Sequence, residues 1–161
     1  MVFESNMFEP SKDLSREVVI FEGLRSDLSV VEKIMLKRAL DSRKNAYAPY
    51  SHYKVGAVAL ALRGDGVERI FSGCNVENAA FSPTSCAEVS AIDAAVSSGF
   101  RKIKSVLVVT DSRLPEAPCG RCRQKIIELG RNAEVIMASS RNKKILRAKI
   151  QDLLPHHFKL L

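Results

Sequence analysis

An α/β fold, with a mixed sheet covered by helices on both faces, follows from three features of this sequence. Two apolar runs flank Gly64-Asp65-Gly66 and read as an opening hairpin. Strand-like runs then alternate with segments of helical periodicity. One of those strands, KSVLVVT at 104–110, is almost continuously apolar, as strands buried on both faces are.

The elements follow in chain order. Residues 1–27 read as an N-terminal extension with one short apolar run, Val18 to Phe21, and the domain proper spans 28–161. Val31, Ile34, Met35 and Ala39 recur at helical spacing within 28–44. Pro49 then breaks the chain, KVGAVALAL suits a buried strand, and VERIFSGCNV suits its partner, so 53–75 is a hairpin. A helix starts near Cys86, carries Val89, Ile92 and Val96 on one expected core stripe, and closes at Ser97-Ser98-Gly99. After the 104–110 strand, DSRLPEAP is a loop, CGRCRQKIIELG a short helix stopped by Gly130, and EVIMAS a further strand. IQDLLPHHF gives a last helical turn ending at Pro155, and the basic run at 141–149 is expected to be a solvated face. The chain has no internal repeat, no low-complexity linker and no second domain.

Bulk properties exclude several classes. With 161 residues, 46% apolar and 27% charged, the chain is an ordinary globule able to bury a core. No run reaches the roughly 18 apolar residues of a membrane span. The first residues are acidic, with no basic segment leading into an apolar one, so no secretory signal is expected and a cytoplasmic location follows. The net charge of +7 is uneven, −3 over 1–27, +3 over 28–118 and +7 over 119–161. A basic tail is weak evidence for nucleic acid, and no aromatic residue interleaves with 141–149 to stack on bases.

The chemistry sits in the cysteines. In a chain without an export signal, Cys74, Cys86, Cys119 and Cys122 point to metal or catalysis rather than to disulfides. Cys119-Gly-Arg-Cys122 sets two thiols one helical turn apart, a spacing that zinc sites and redox dithiols share. Metal is favoured because Cys86 begins a second helix, and two converging helix N-termini stabilise thiolates. Glu88, two residues past Cys86, is placed to face the metal without binding it. Three protein ligands leave a tetrahedral position open, as catalytic zinc requires. Cys74 could close that position, but its strand reads as interior, where free cysteine is a small hydrophobe.

Cys86-Ala-Glu88 followed by Pro118-Cys119-Gly-Arg-Cys122-Arg-Gln resembles the zinc site of the cytidine deaminase superfamily, a Cys₃ site with a non-ligating Glu. APYSHYKVGA (48–57), SGCNVENAAFSPTSCAE (72–88) and LLPHHF (153–158) resemble segments of the small, free-nucleoside cytidine deaminases, so the likeness spans about 28–158. It implies a three-layer α/β/α sandwich and one Zn²⁺ per subunit. It also implies a homotetramer with shared active sites, and hydrolytic deamination of cytidine or deoxycytidine in pyrimidine salvage.

The resemblance also distributes roles. Glu88 shuttles the proton between water, the ring N3 and departing ammonia, with a pKa raised by the neighbouring thiolates. Asn75 and Glu77 grip the ribose hydroxyls, and Ala87 lies against the substrate. Tyr53 stands where the family has a ligand-side aromatic, adding a hydroxyl there, and Phe158 matches an aromatic contributed over the base by a neighbouring subunit. His156 and His157 match nothing metal-binding. One departure is Val89, where the family commonly has an arginine that offsets three thiolates on a dication. Arg121 can compensate by donating to a ligand sulfur. An apolar residue after Cys-Ala-Glu, paired with Cys-Gly-Arg-Cys, resembles blasticidin S deaminases, so a modified cytosine nucleoside is the alternative substrate. A non-catalytic zinc module is the alternative of another class.

Overall fold

The computed structural model describes residues 18–159. A six-stranded sheet runs in the order β1-β6-β5-β4-β2-β3, from β1 (Ile20–Leu24), β2 (Gly56–Leu62), β3 (Glu68–Cys74), β4 (Lys102–Thr110), β5 (Glu134–Ser139) and β6 (Lys144–Lys149). Only β4 and β5 pair in parallel, so the sheet is mixed. The helices are α1 (Val30–Lys44), α2 (Ala87–Ser97), α3 (Gly120–Leu129) and the short α4 (Ile150–Leu153).

Alternation along the central strands produces three layers. Leu107 and Val109 of β4, with Ile136 and Ala138 of β5, pack beneath Met35, Leu36 and Ala39 of α1. The intervening Val106 and Val108, with Val135 and Met137, face Ala91, Ile92 and Ala95 of α2, Ile126 of α3 and Ile150 of α4. The α/β/α sandwich is therefore set by unbroken apolar stretches within β4, Val106 to Val109, and β5, Val135 to Ala138.

Local chemistry sets the element ends. Ser29 caps α1, accepting from Glu32 N at 3.4 Å while Glu32 Oε2 accepts from Ser29 N at 2.8 Å. Gly66 turns the β2–β3 hairpin at φ +86°. Gly73 brings β3 against the start of α2, where a Cβ would lie 2.5 Å from Ala87 O.

Four sequence expectations are revised. The strand β1 lies inside the stretch read as an extension, and it pairs with β6, so the sheet begins at Ile20 rather than after 27. The basic run contains β6, because Ile145 and Ala148 are buried between the charged positions. Val31 and Ile34 of α1 are exposed, and Leu36 joins Met35 and Ala39 in the core. On α2, Val96 is exposed and Ala91 and Ala95 complete the stripe with Ile92, because α2 approaches β3 too closely for larger side chains.

Candidate metal and substrate site

Cys86 and Cys119 are each the residue just before a helix, with extended backbone at φ −74°, ψ 156° and φ −64°, ψ 165°. Neither thiol caps its own helix, so both are free for another partner. Cys122 follows one turn into α3 and is buried. The three sulfurs lie within 4.8 Å of one another, forming a group of three candidate metal ligands among the described residues. Cys74, at the end of β3, stands outside this group. A set of three soft sulfur donors, and no other protein donor, fits zinc with one position left open.

The thiols share their protons unequally. Hydrogen bonding from Cys122, helped by Cys119 and the charge of Arg121, holds Cys86 down at about 6. Its bond to Cys86 and its burial push Cys122 up.

Glu88 is buried at 4% exposure. Burial raises its pKa, and the Cys86 charge adds to the effect, so desolvation is the leading cause rather than thiolate repulsion. Glu88 lies outside the group of ligand atoms.

A cavity of about 520 Å³ opens on this group at the carboxyl end of β4, within the range of small-molecule sites. Its wall takes Asn75 and Glu77 from the segment after β3, Cys86, Ala87 and Glu88 from the start of α2, and Glu116, Pro118, Cys119 and Cys122 from the approach to α3. Tyr53 lines it as well. Two further expectations are refined by the contacts. The Asn75 amide already holds backbone, its Oδ1 accepting from Val55 N at 2.8 Å and its Nδ2 donating to Tyr53 O at 2.9 Å. Glu77 accepts from Tyr50 N at 2.9 Å, from Ser51 N at 3.2 Å and from the Ser51 hydroxyl. Hydrogen bonding from Ser51 leads the causes that keep the Glu77 carboxyl below its ordinary value.

Arg121 differs from expectation: Nη1 donates to Thr84 O at 3.0 Å, tying α3 to the segment before Cys86 instead of reaching a sulfur. Its charge still acts on Cys86. Phe158 is 69% exposed and lies away from this chain's cavity wall. His156 and His157 belong to a separate surface pocket. Sequence reasoning missed Glu116 and Ser51. The available signal was a carboxylate between Pro115 and Pro118, in a loop forced to end at a metal ligand.

Residues 30–139 match the family model described as the cytidine and deoxycytidylate deaminase zinc-binding region. A cytidine deaminase of Sporosarcina psychrophila is 40% identical over 128 residues, covering 80% of this chain and 90% of its own length. A cytidine deaminase of Halalkalibacterium halodurans is 35% identical over 126 residues, covering 78% of this chain and 92% of its own. Among solved structures, a cytidine deaminase from Burkholderia pseudomallei superposes with TM-score 0.72 at 37% identity, covering 81% of this chain and 100% of that one. Three sulfurs gathered as candidate metal ligands, a buried carboxylate at the same cavity wall and these likenesses have one common account, and the chain belongs to the cytidine and deoxycytidylate deaminase family.

Proposed function

We propose that this protein is a zinc-dependent hydrolase that converts cytidine and deoxycytidine to uridine and deoxyuridine, as a step of pyrimidine salvage. The observation that carries this reading is Glu88, buried with a raised pKa at the wall of the cavity on which the three sulfurs open. Zinc, held by Cys86, Cys119 and Cys122, supplies activation of water at neutral pH when bound. The remaining chemistry belongs to the chain. Glu88 accepts a proton from the attacking water, gives it to N3 of the pyrimidine, and then assists protonation of the amino group that departs as ammonia. Burial raises its pKa, which suits a group that must both take and give that proton. Asn75 and Glu77 border the cavity where ribose hydroxyls would lie, and Ala87 contributes to its floor.

Charge favours a nucleoside over a nucleotide. Among the described residues the wall includes Glu77, Glu88 and Glu116 and no Lys, Arg or His, so a phosphate would meet repulsion without a counter-ion there. A homotetramer is supported by Phe158 and Phe81, 69% and 78% exposed, which are costly to leave in water. Four unpaired thiols support a cytoplasmic location, and among the described residues no helix is long and apolar enough to cross a membrane.

Ammonia release from cytidine, deoxycytidine, deoxycytidylate and blasticidin S, measured on zinc-loaded protein, tests the proposal. Turnover of the first two with little of deoxycytidylate is the expected result. Turnover of blasticidin S alone would transfer the assignment to the modified nucleoside that Val89 and Arg121 suggest. Silence on all four would leave a zinc-binding module.

A further inference from the structure

Two hydroxyls converge on one carboxylate at the wall of the cavity. The Tyr53 hydroxyl donates to Glu116 Oε2 at 2.7 Å, and the Ser112 hydroxyl donates to Glu116 Oε1 while lying 3.0 Å from the phenol oxygen. Tyr53 and Glu116 are separated by 63 residues of sequence, so this contact joins segments that nothing local would bring together. On one side, Tyr53 N donates to Ser51 Oγ at 3.0 Å, the Ser51 hydroxyl donates to Glu77, and Tyr53 O accepts from the Asn75 amide. On the other side, Ser112 O accepts from the Ser139 hydroxyl at the end of β5. Three residues after Glu116 the chain reaches Cys119. A continuous hydrogen-bonded line therefore runs from Glu77, through Ser51 and Tyr53, to Glu116 and the loop that delivers a metal ligand.

We propose that Tyr53 and Glu116 are positioning residues, whose hydrogen bond straps the segment before β2 to the 111–118 loop and sets the mouth of the cavity for the nucleoside. This role rests on the deaminase reading, and it requires the phenolic hydroxyl specifically. A phenylalanine would keep the ring against the ligand and lose the strap. Neither residue belongs to the sulfur group, so breaking the strap loosens substrate binding and leaves the metal in place.

The test uses zinc-loaded Tyr53→Phe, Glu116→Ala, Glu116→Gln and the double variant Tyr53→Phe/Glu116→Ala. Loss of a hydrogen bond to a charged, partly exposed group predicts a KM for cytidine raised about three- to tenfold in Tyr53→Phe and Glu116→Ala, with kcat within about twofold. The double variant should be no worse than either single one, as coupled partners are. Glu116→Gln keeps an acceptor for the phenol and should recover most of the loss. Zinc content should stay equal to wild type throughout. Unchanged KM, additive losses, or loss of zinc from Tyr53→Phe would each overturn the proposal.

A second readout needs no turnover. The chain has three tyrosines and no tryptophan, so tyrosinate absorbance reports these phenols directly. Burial leads the causes that raise Tyr53, and Glu116 adds to them. The Tyr53 step should vanish in Tyr53→Phe and move to lower pH in Glu116→Ala. An unmoved step in both variants would show that the strap does not exist. A wild-type protein without activity whose tyrosine step behaves as expected would remove the deaminase reading and leave the Tyr53–Glu116 bond intact.

Discussion

Glu88 and Arg121 each lie within two residues of a cysteine of the sulfur group and are expected to make separable contributions. Glu88 lies outside the sulfur group and in the proposed mechanism carries protons only, so Glu88→Gln is expected to lower kcat by about 10²- to 10⁴-fold, with zinc content unchanged by elemental analysis. Arg121 donates to Thr84 O and is not among the described residues that line the cavity. By holding Thr84 O it fixes the segment that ends at Cys86, and by its charge it favours the Cys86 thiolate. Arg121→Ala should therefore weaken zinc retention by about tenfold in a competition titration with a chromogenic chelator, while the zinc-saturated enzyme keeps most of its kcat. The sulfur group and Glu88 were legible at this scale because short spacings, Cys-Ala-Glu and Cys-Gly-Arg-Cys, put them on two helix starts whatever the rest of the chain does. Glu116 and Ser51 were not legible, since their partners lie far away in sequence and no local pattern marks them.

Between elements, the decisive contact is that of β3 with α2. Gly73 lies so close to the first turn of α2 that an added Cβ would meet Ala87 O at 2.5 Å and Ala91 N at 2.5 Å, both of them backbone atoms. Gly73→Ala is expected to destabilise the protein by about 1–3 kcal/mol in urea unfolding and to displace Cys86 and Glu88 together. Gly120, at the first turn of α3, meets nothing within 4 Å, and Gly120→Ala should be neutral or stabilising by up to about 1 kcal/mol. The docking of α1 depends on pH. Burial alone would raise Glu32, but hydrogen bonds from Arg147 and Ser29 overcome it and bring the carboxyl to about 2, from 4.5. The folded value lies below the unfolded one, so this contribution is complete above about pH 4.5 and disappears as pH falls towards 2. Thermal melts across that window should fall less steeply for Glu32→Gln than for wild type. The same ion pair explains why β6 escaped the sequence reading. Arg147 is a strand residue whose charge is met by Glu32 and Glu134, and a basic run conceals such partners.

For the molecule as a whole, alternation in β4 and β5 made three layers readable, because side chains on successive positions must enter opposite faces. The edges of the sheet were not readable, since an edge strand is defined by its neighbour. Zinc held by Cys86 and Cys119 would connect α2 and α3 at the residues just before them, and a ligand that binds only the folded chain stabilises it. Removal of zinc by a chelator should lower the melting temperature and abolish deamination, and added zinc should restore both. Circular dichroism and ammonia release measure the two effects. At the far edge, the pairing of Ile20 with Ala148 and of Leu24 with Lys144 joins two strands that stand far apart in sequence. β1 can pair only once the ribosome has released β6, so it lacks this partner while the residues between them are made. Its greasy Ile20 and Phe21 are then the stretch most in need of a chaperone's shelter.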